Sequence, residues 1–168
     1  ADDETARAIE PTAPSPSARF AAIRALREAG VEVGVAVAPI IPGLNDDQIV
    51  EVLERAAEAG ATRAFRILLH LSREVRDVFE ERLLETLPLR HERVMAALRD
   101  SRGGRTSNVE FGKRFVGRGP RWQATDQLFE VTCRRLGIQY REESEAHYDA
   151  LAAKTFRRPG EMQQGELF

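Results

Sequence analysis

Apolar residues follow two different periodicities in the first 70 residues. The run from Val31 to Ile41 is rich in the β-branched residues valine and isoleucine, and polar residues do not alternate with apolar ones. This pattern is typical of a strand buried on both faces in a parallel sheet. A second apolar stretch, Thr62–His70, indicates another strand. Between the two, apolar residues recur at helical spacing, at Ile49, Val52, Leu53 and Ala56. The order strand, helix, strand predicts one βαβ unit with parallel strands.

Capping residues predict where the helices begin. Residues 1–10 read as a short helix, which the following prolines stop. Ser15 is a good N-cap for the next helix, which we expect to end at Gly30. Asn45 is predicted to cap the helix of the βαβ unit, and Gln48 would complete a capping-box pair with it.

Only helices are predicted after residue 71. The first runs from Ser72 to about Leu87, with four residues expected to point inward: Val75, Val78, Phe79 and Leu83. The second ends at about Asp100, with Val94, Met95 and Leu98 inward. The third covers Pro120–Leu136 and is expected to bury Trp122, Leu128, Val131 and Thr132.

Composition narrows the class of protein. The chain has 168 residues, 42% apolar and 31% charged, which indicates one globular domain. No apolar run approaches the roughly 20 residues that a membrane helix needs, so no membrane partner is expected. Cys133 is the single cysteine, which excludes an intrachain disulfide and favours a cytoplasmic setting. Its position in an amphipathic helix favours a buried, inert thiol over a nucleophile.

A basic, glycine-rich segment spans Arg99–Arg121. It carries seven positive side chains against two negative ones. Such a segment can approach an anion, including nucleic acid, with guanidinium groups and backbone N–H groups. A solvated surface loop explains the same composition. Both interpretations stay open.

Two strand ends are the candidate ligand sites, because parallel α/β folds bind ligands where the strands end. The first is Ala38–Asp46 and the second is Leu68–Ser72. In the first, Asn45 could orient an anion or a hydroxyl, or act only as a helix cap. In the second, His70 could donate a proton or serve only the structure. No Ser/His/Asp order, phosphate-binding loop or metal-ligand spacing is present, so no catalytic or metal residue is assigned.

Several stretches carry a resemblance to a known family. They are Glu10-Pro11, Pro14–Arg19, Ala38–Asp46, Phe111–Pro120, Arg134–Gly137 and the closing FRRPG and QQGELF. Together they resemble the second half of a radical SAM enzyme, of a bacterial group related to spore photoproduct lyase. The resemblance implies the C-terminal portion of a partial (β/α)₆ barrel followed by a helical extension. It divides the chain into barrel residues 1–72, a helical extension 73–150 and a mobile tail 151–168.

The resemblance also implies the cofactors. Such enzymes cleave S-adenosylmethionine reductively at a [4Fe–4S] cluster held by a C-x₃-C-x₂-C motif, which this sequence lacks. The residues matching the family's adenine-binding strand ends are Val37, Pro39, Ile40, Ile41, Asn45, Leu68, Leu69, His70 and Leu71. Related sequences have Arg-Leu-Pro where this one has His70-Leu71-Ser72, which weakens any role for His70.

Three functions therefore remain open for this chain. It is the C-terminal part of a radical SAM enzyme with an unknown substrate, a non-catalytic remnant of one, or a basic module that binds nucleic acid or another anion. In each case we expect the chain alone to be inactive in cleaving S-adenosylmethionine, because it lacks the cysteines that hold the cluster.

Overall fold

The computed structural model describes residues 2–104 and 117–140. The helices are α1 (Asp3–Ile9), α2 (Pro16–Glu28), α3 (Ile49–Glu58), α4 (Arg73–Thr86), α5 (His91–Asp100) and α6 (Gly119–Leu136). The strands are β1 (Gly34–Ile40), β2 (Arg63–Leu68) and β3 (Gln139–Tyr140). Short 3₁₀ turns precede α3 and α5, at Asp46–Gln48 and Pro88–Arg90.

The three strands form one parallel sheet in the order β1-β2-β3. Val35 pairs with Ala64, so the predicted parallel pairing around a helix is confirmed. The third strand was not predicted. It is only two residues long and joins β2 through the Gln139 N–H, which donates to the Thr62 carbonyl at 3.0 Å.

The expected (β/α)₆ barrel is wrong for the described residues. They form six helices and a small open sheet, in which β1 lies at one edge. A barrel requires each strand to have a partner on both sides so that the sheet closes. Three strands, one of them two residues long, cannot satisfy that condition. The proposed division at residues 72 and 150 stays a prediction, and residues 141–168 lie outside the described residues.

One face of the sheet is buried and the other is open. Val35 and Val37 on β1 lie in the first core with apolar residues of β2, α3 and α6: Ala64, Leu68, Ile49, Leu53, Ala56, Trp122, Phe129 and Cys133. On the opposite face, Gly34 and Ala36 are exposed and Phe65 is 47% exposed. The expectation that β1 is buried on both faces is therefore wrong, because α3 and α6 pack on the same side of the sheet.

A second core joins the strand ends to α4 and α5. It consists of Ile41, Leu44, Leu71, Phe79, Leu83, Val94, Met95 and Leu98. The inward positions predicted for α5 are confirmed, as are Phe79 and Leu83 of α4. Val75 and Val78 are 52% and 65% exposed, so that part of the prediction is wrong. Helix α4 buries a narrow stripe, one residue per turn.

The buried side of α6 differs from the predicted one. Trp122 and Thr132 are buried as expected. Leu128 and Val131 are 40% and 50% exposed, whereas Phe129 is fully buried. Phe129 and Cys133 are four residues apart and share a helix face, so the core side lies one position along from the predicted stripe.

The two predicted N-caps have different outcomes. The Ser15 hydroxyl accepts a hydrogen bond from the Ala18 N–H at 3.3 Å, as a cap should. The Asn45 side chain makes no capping bond, and Gln48 accepts instead from the Asp2 N–H at 3.3 Å. The predicted capping box is therefore wrong, because a 3₁₀ turn begins after Asn45 and the side chain has other partners.

Candidate functional site

The two candidate strand ends lie side by side. Ile40 pairs with Leu68, and the Leu69 N–H donates to the Ile40 carbonyl at 2.9 Å. The Leu69 carbonyl in turn accepts from Arg102 Nη2 at 2.6 Å. Parallel pairing thus joins two segments that are almost 30 residues apart in sequence at one end of the sheet.

Asn45 fixes the shape of the first strand end. Its Oδ1 accepts from the Ile41 N–H at 2.7 Å, and its Nδ2 donates to the Pro39 carbonyl at 3.1 Å. One amide side chain therefore bridges two backbone groups on either side of Ile40. The sequence predicts Asn45 as a helix cap and does not indicate this role, because both partners precede Asn45, whereas a cap bonds the turn that follows it.

Asp46 ties the same turn to α6. Its Oδ1 accepts from the Gly43 N–H at 2.8 Å, and its Oδ2 accepts from Arg121 Nη2 at 2.7 Å. Gly43 has a φ of 84°, and an added Cβ would approach the Arg93 carbonyl at 3.2 Å. The turn after β1 is therefore held by side chains at both ends and allows no larger residue at Gly43 without strain.

The nine predicted binding residues differ in accessibility. Ile40, Leu68 and Leu71 are at most 2% exposed and belong to the two cores. They can support a ligand site but cannot contact a ligand without repacking. Val37 and Ile41 are also core residues, 8% and 5% exposed, although they line a cavity. Pro39 and Asn45 are half-buried in the same cavity, and Leu69 and His70 are half-buried just after β2.

The open sheet face is the accessible surface next to these ends. It carries Gly34, Ala36 and Ala38 from β1, whose neighbours Val35 and Val37 point to the core. On β2 it carries Phe65 and the half-buried Ile67. The small side chains of β1 lie beside the larger apolar side chains of β2, so the open face is apolar and lower over β1 than over β2. The alternation of small and large residues through β1 is visible in sequence and could have identified this face.

A cavity of about 190 Å³ follows the free edge of β1. We call it the β1 trough. Its walls come from α1, α2, β1 and the turn and helix that follow: Asp2, Thr5, Ala6, Ile9, Glu10, Pro16, Arg19, Phe20, Ile23, Val35, Ala36, Val37, Ala38, Pro39, Ile41, Leu44, Asn45, Gln48 and Val52. Arg19 pairs with Glu10 at 3.1 Å on its rim. The lining is predominantly apolar and runs past five consecutive residues of β1.

The basic segment is only partly described, since residues 105–116 lie outside the described residues. Within the described part, Arg102 is 7% exposed and donates to the Leu69 carbonyl, and burial lowers the pKa of its guanidinium. Arg121 pairs with Asp46. Two of the seven cations therefore stabilise the fold at the strand ends, which reduces the charge left for an external anion.

The described residues do not fit an iron–sulfur cluster. No group of three or more His, Cys, Asp or Glu side chains in residues 2–104 and 117–140 could hold a metal ion. Cys133 is fully buried, and burial raises the pKa of its thiol to about 11. Thiolate ligation needs a deprotonated, accessible sulfur, so Cys133 is unsuited to it. The expectation of a buried, inert thiol agrees with this environment.

The adenosyl group of S-adenosylmethionine makes different demands. A planar base needs apolar surface and a few polar backbone groups. The open sheet face offers the apolar surface at Ala38 and Ile67, and the half-buried Leu69 and His70 lie at the adjoining strand end. The described residues therefore offer an apolar surface of the kind that a base requires, and they offer no set of cluster ligands.

Comparison with known proteins gives distant relatives. Uncharacterized proteins of Mycobacterium bovis and Mycobacterium tuberculosis are each 40% identical over 80 residues, which is 46% of this chain and 24% of the relative. An uncharacterized protein of Acidianus two-tailed virus is 35% identical over 74 residues, 41% of this chain and 25% of the relative. The chain matches about a quarter of the length of these relatives. No family model and no solved structure matches.

No helix in residues 2–104 and 117–140 is both long enough and apolar enough to cross a bilayer.

Proposed function

We propose that this chain is the C-terminal part of a radical SAM enzyme, and that its two strand ends form one wall of the S-adenosylmethionine site. The observation that supports this most directly is the hydrogen bond from the Leu69 N–H to the Ile40 carbonyl. It joins the two segments that the resemblance assigns to adenine binding. They are thereby held at one end of the same open sheet face.

In this proposal the adenosyl group lies on the open face beside Ala38 and Pro39. The small side chains at Ala36 and Ala38 leave space over β1, and Ile67 offers an apolar neighbour. Burying a flat apolar group there contributes about 25 cal/mol per Å² of apolar surface removed from water. Asn45 acts indirectly, because its two hydrogen bonds hold Pro39 and Ile41 in place.

The chain's own residues bind and position, and they supply no cluster ligands. The [4Fe–4S] cluster, which would deliver the electron for cleavage, needs cysteines from polypeptide outside this chain. The relatives have about three quarters of their length outside the matched stretch. The substrate on which the radical acts would likewise be selected together with that further polypeptide.

A basic nucleic-acid module is the weaker proposal. It would rest on Arg99–Arg121, but Arg102 and Arg121 bond to the Leu69 carbonyl and to Asp46. Salt-dependent binding of the chain to DNA would support it, because neutralised phosphates release counterions. Undetectable binding at low salt would exclude it.

The experiment uses the protein encoded by the full reading frame. We expect a C-x₃-C-x₂-C motif upstream of Ala1 and, after anaerobic reconstitution, reductive cleavage of S-adenosylmethionine to 5′-deoxyadenosine. Ala38→Leu should fill the step on the open face and raise the KM for S-adenosylmethionine about tenfold, the cost of roughly 1.4 kcal/mol. Ala96→Leu, at an exposed position on α5, is the matched control and should change nothing.

Two results would contradict the proposal. A reading frame without the cysteine motif would identify a non-catalytic remnant. An active enzyme in which the Ala38 and Ala96 variants behave alike would show that the open face does not bind the cofactor.

A further inference from the structure

Among the described strands, only β1 supports the end of β2. Strand β3 pairs with Arg63 and Ala64 at the start of β2 and reaches no further along it. Leu69, the residue after β2, donates its N–H to the Ile40 carbonyl at 2.9 Å. A strand end with a single partner is prone to local opening. A ligand site there therefore needs a further support if it is to keep one shape.

Arg102 supplies that support through its side chain. Its Nη2 donates to the Leu69 carbonyl at 2.6 Å, and the residue is only 7% exposed. Taking the guanidinium out of water is costly, which is also why burial lowers its pKa. Because a buried charge often adds little net stability, the free energy of unfolding alone is a weak reason for an arginine at this position.

The backbone that carries Arg102 is itself fixed. The residue before it, Ser101, accepts at its carbonyl from the Arg118 N–H at 2.7 Å, which joins the end of α5 to the N-cap of α6. On the α6 side of this junction, Arg121 pairs with Asp46 in the turn after β1. Both strand ends are therefore tied to the junction of α5 and α6.

From these contacts we infer that Arg102 is a positioning residue for the adenosyl site, holding the Leu69–His70 strand end in the geometry that the ligand binds. The inference rests on the proposed function and deepens it, because Arg102 lies outside the wall whose affinity depends on it. The strand end is ordered before the ligand arrives, so binding does not have to order it. Arg121 has a smaller effect, since its side chain is 40% exposed and water screens its pair with Asp46.

The test uses the protein encoded by the full reading frame and measures the dissociation constant of S-adenosylhomocysteine by isothermal titration calorimetry. Arg102→Met keeps the apolar stem and removes the donors, and should raise the dissociation constant about tenfold, the effect of one lost hydrogen bond from a charged donor. Arg102→Lys keeps a charged donor and should restore most of the affinity. Arg99→Met removes a positive charge from an exposed position on α5. It is the matched control and should bind as the unaltered protein does.

Hydrogen exchange of the Leu69 amide separates positioning from a general loss of stability. Arg102→Met should speed exchange at Leu69 and leave the Ala64 amide, in the middle of the sheet, unchanged, whereas general destabilisation speeds both. If Arg102→Met does not fold, the unaltered protein decides. Its Leu69 amide should exchange slowly without ligand, and protection that develops only in the bound protein would overturn the inference.

The inference and the proposed function fail in different ways. If the unaltered protein binds S-adenosylhomocysteine but Arg102→Met and Arg99→Met bind it equally well, the inference is overturned and the proposed function stands. Arg102→Lys that binds as weakly as Arg102→Met would also overturn it, because the donor would then not be the cause. If the unaltered protein does not bind S-adenosylhomocysteine, the proposed function is wrong and the inference falls with it.

Discussion

Replacement of Asn45 tests the bridge at the strand end. Asn45→Ala removes a hydrogen bond from the Ile41 N–H and one to the Pro39 carbonyl. Each contributes about 1 kcal/mol net, so the variant should lose about 2 kcal/mol of unfolding free energy. Urea denaturation followed by circular dichroism measures the loss as a lower midpoint with an unchanged slope.

Asn45→Asp gives a sharper result, because its effect depends on pH. The ionised carboxylate can accept from Ile41 but faces the Pro39 carbonyl without a donor. The protonated acid restores the donor, so folding favours the protonated form and raises the pKa of the introduced carboxyl above its unfolded value of about 3.9.

The sign of the pH dependence follows. A raised folded pKa gives a stabilising contribution that is present below about pH 3.9 and is lost as the pH rises through the folded value. Measured against the unaltered protein at each pH, Asn45→Asp should be destabilised by about 2 kcal/mol at neutral pH and by less than about 1 kcal/mol near pH 3.5. A deficit that is independent of pH would refute the bridging role.

Three further predictions concern the Cys133 thiol, the ion pairs of Arg66 and Arg135, and the chain expressed alone. Cys133, fully buried with a pKa of about 11, should resist a thiol reagent in the native state and react on addition of urea; rapid native labelling would contradict its burial. The Arg66 side chain is 9% exposed and pairs with Asp126 and Glu130. Arg66→Met should lower the free energy of unfolding by about 2 kcal/mol, a value that allows for the partial exposure of both carboxylates. Arg135→Met removes an exposed ion pair and should lower the free energy of unfolding by less than about 1 kcal/mol. Equal urea midpoints for the Arg66 and Arg135 variants would contradict this difference. Finally, the chain expressed alone should bind no iron–sulfur cluster and cleave no S-adenosylmethionine; a brown protein absorbing near 400 nm after anaerobic reconstitution would contradict this.

The sequence was sufficient for the local elements but not for the closure of the fold. The run of β-branched residues and the helical spacing after it predicted parallel strands around a helix, as observed for β1, α3 and β2. Closure into a barrel depends on strands at both edges of the sheet, which the periodicity of these two segments does not determine. Strand β3 has two residues, too few for any periodicity to be detected.

Burial on the helices was harder to predict than helix position. Val78 and Val131 are apolar but exposed, because the neighbouring helices contact only one narrow side of α4 and α6. An apolar side chain can occur on either side of a helix. The face that becomes buried is decided by packing against elements distant in sequence. The spacing of apolar residues alone is compatible with either of two neighbouring helix faces.

The candidate site could be predicted from the sequence only in part. Pairing of strand ends follows from parallel topology, so the adjacency of Ile40 and Leu68 was accessible to reasoning from sequence. The hydrogen bonds of Asn45 and the contact of Arg102 with the Leu69 carbonyl were not. They join residues through three-dimensional turns that no periodicity encodes.

The central claim, that the two strand ends form one wall of an adenosyl site, is tested most directly by chemical-shift mapping. The ¹⁵N-labelled chain is titrated with S-adenosylhomocysteine, and with methionine as a control that lacks the adenosyl group. We predict shifts at Ala36, Ala38, Leu69 and His70 with S-adenosylhomocysteine alone. Shifts that avoid these four residues, or that methionine reproduces, would contradict the account.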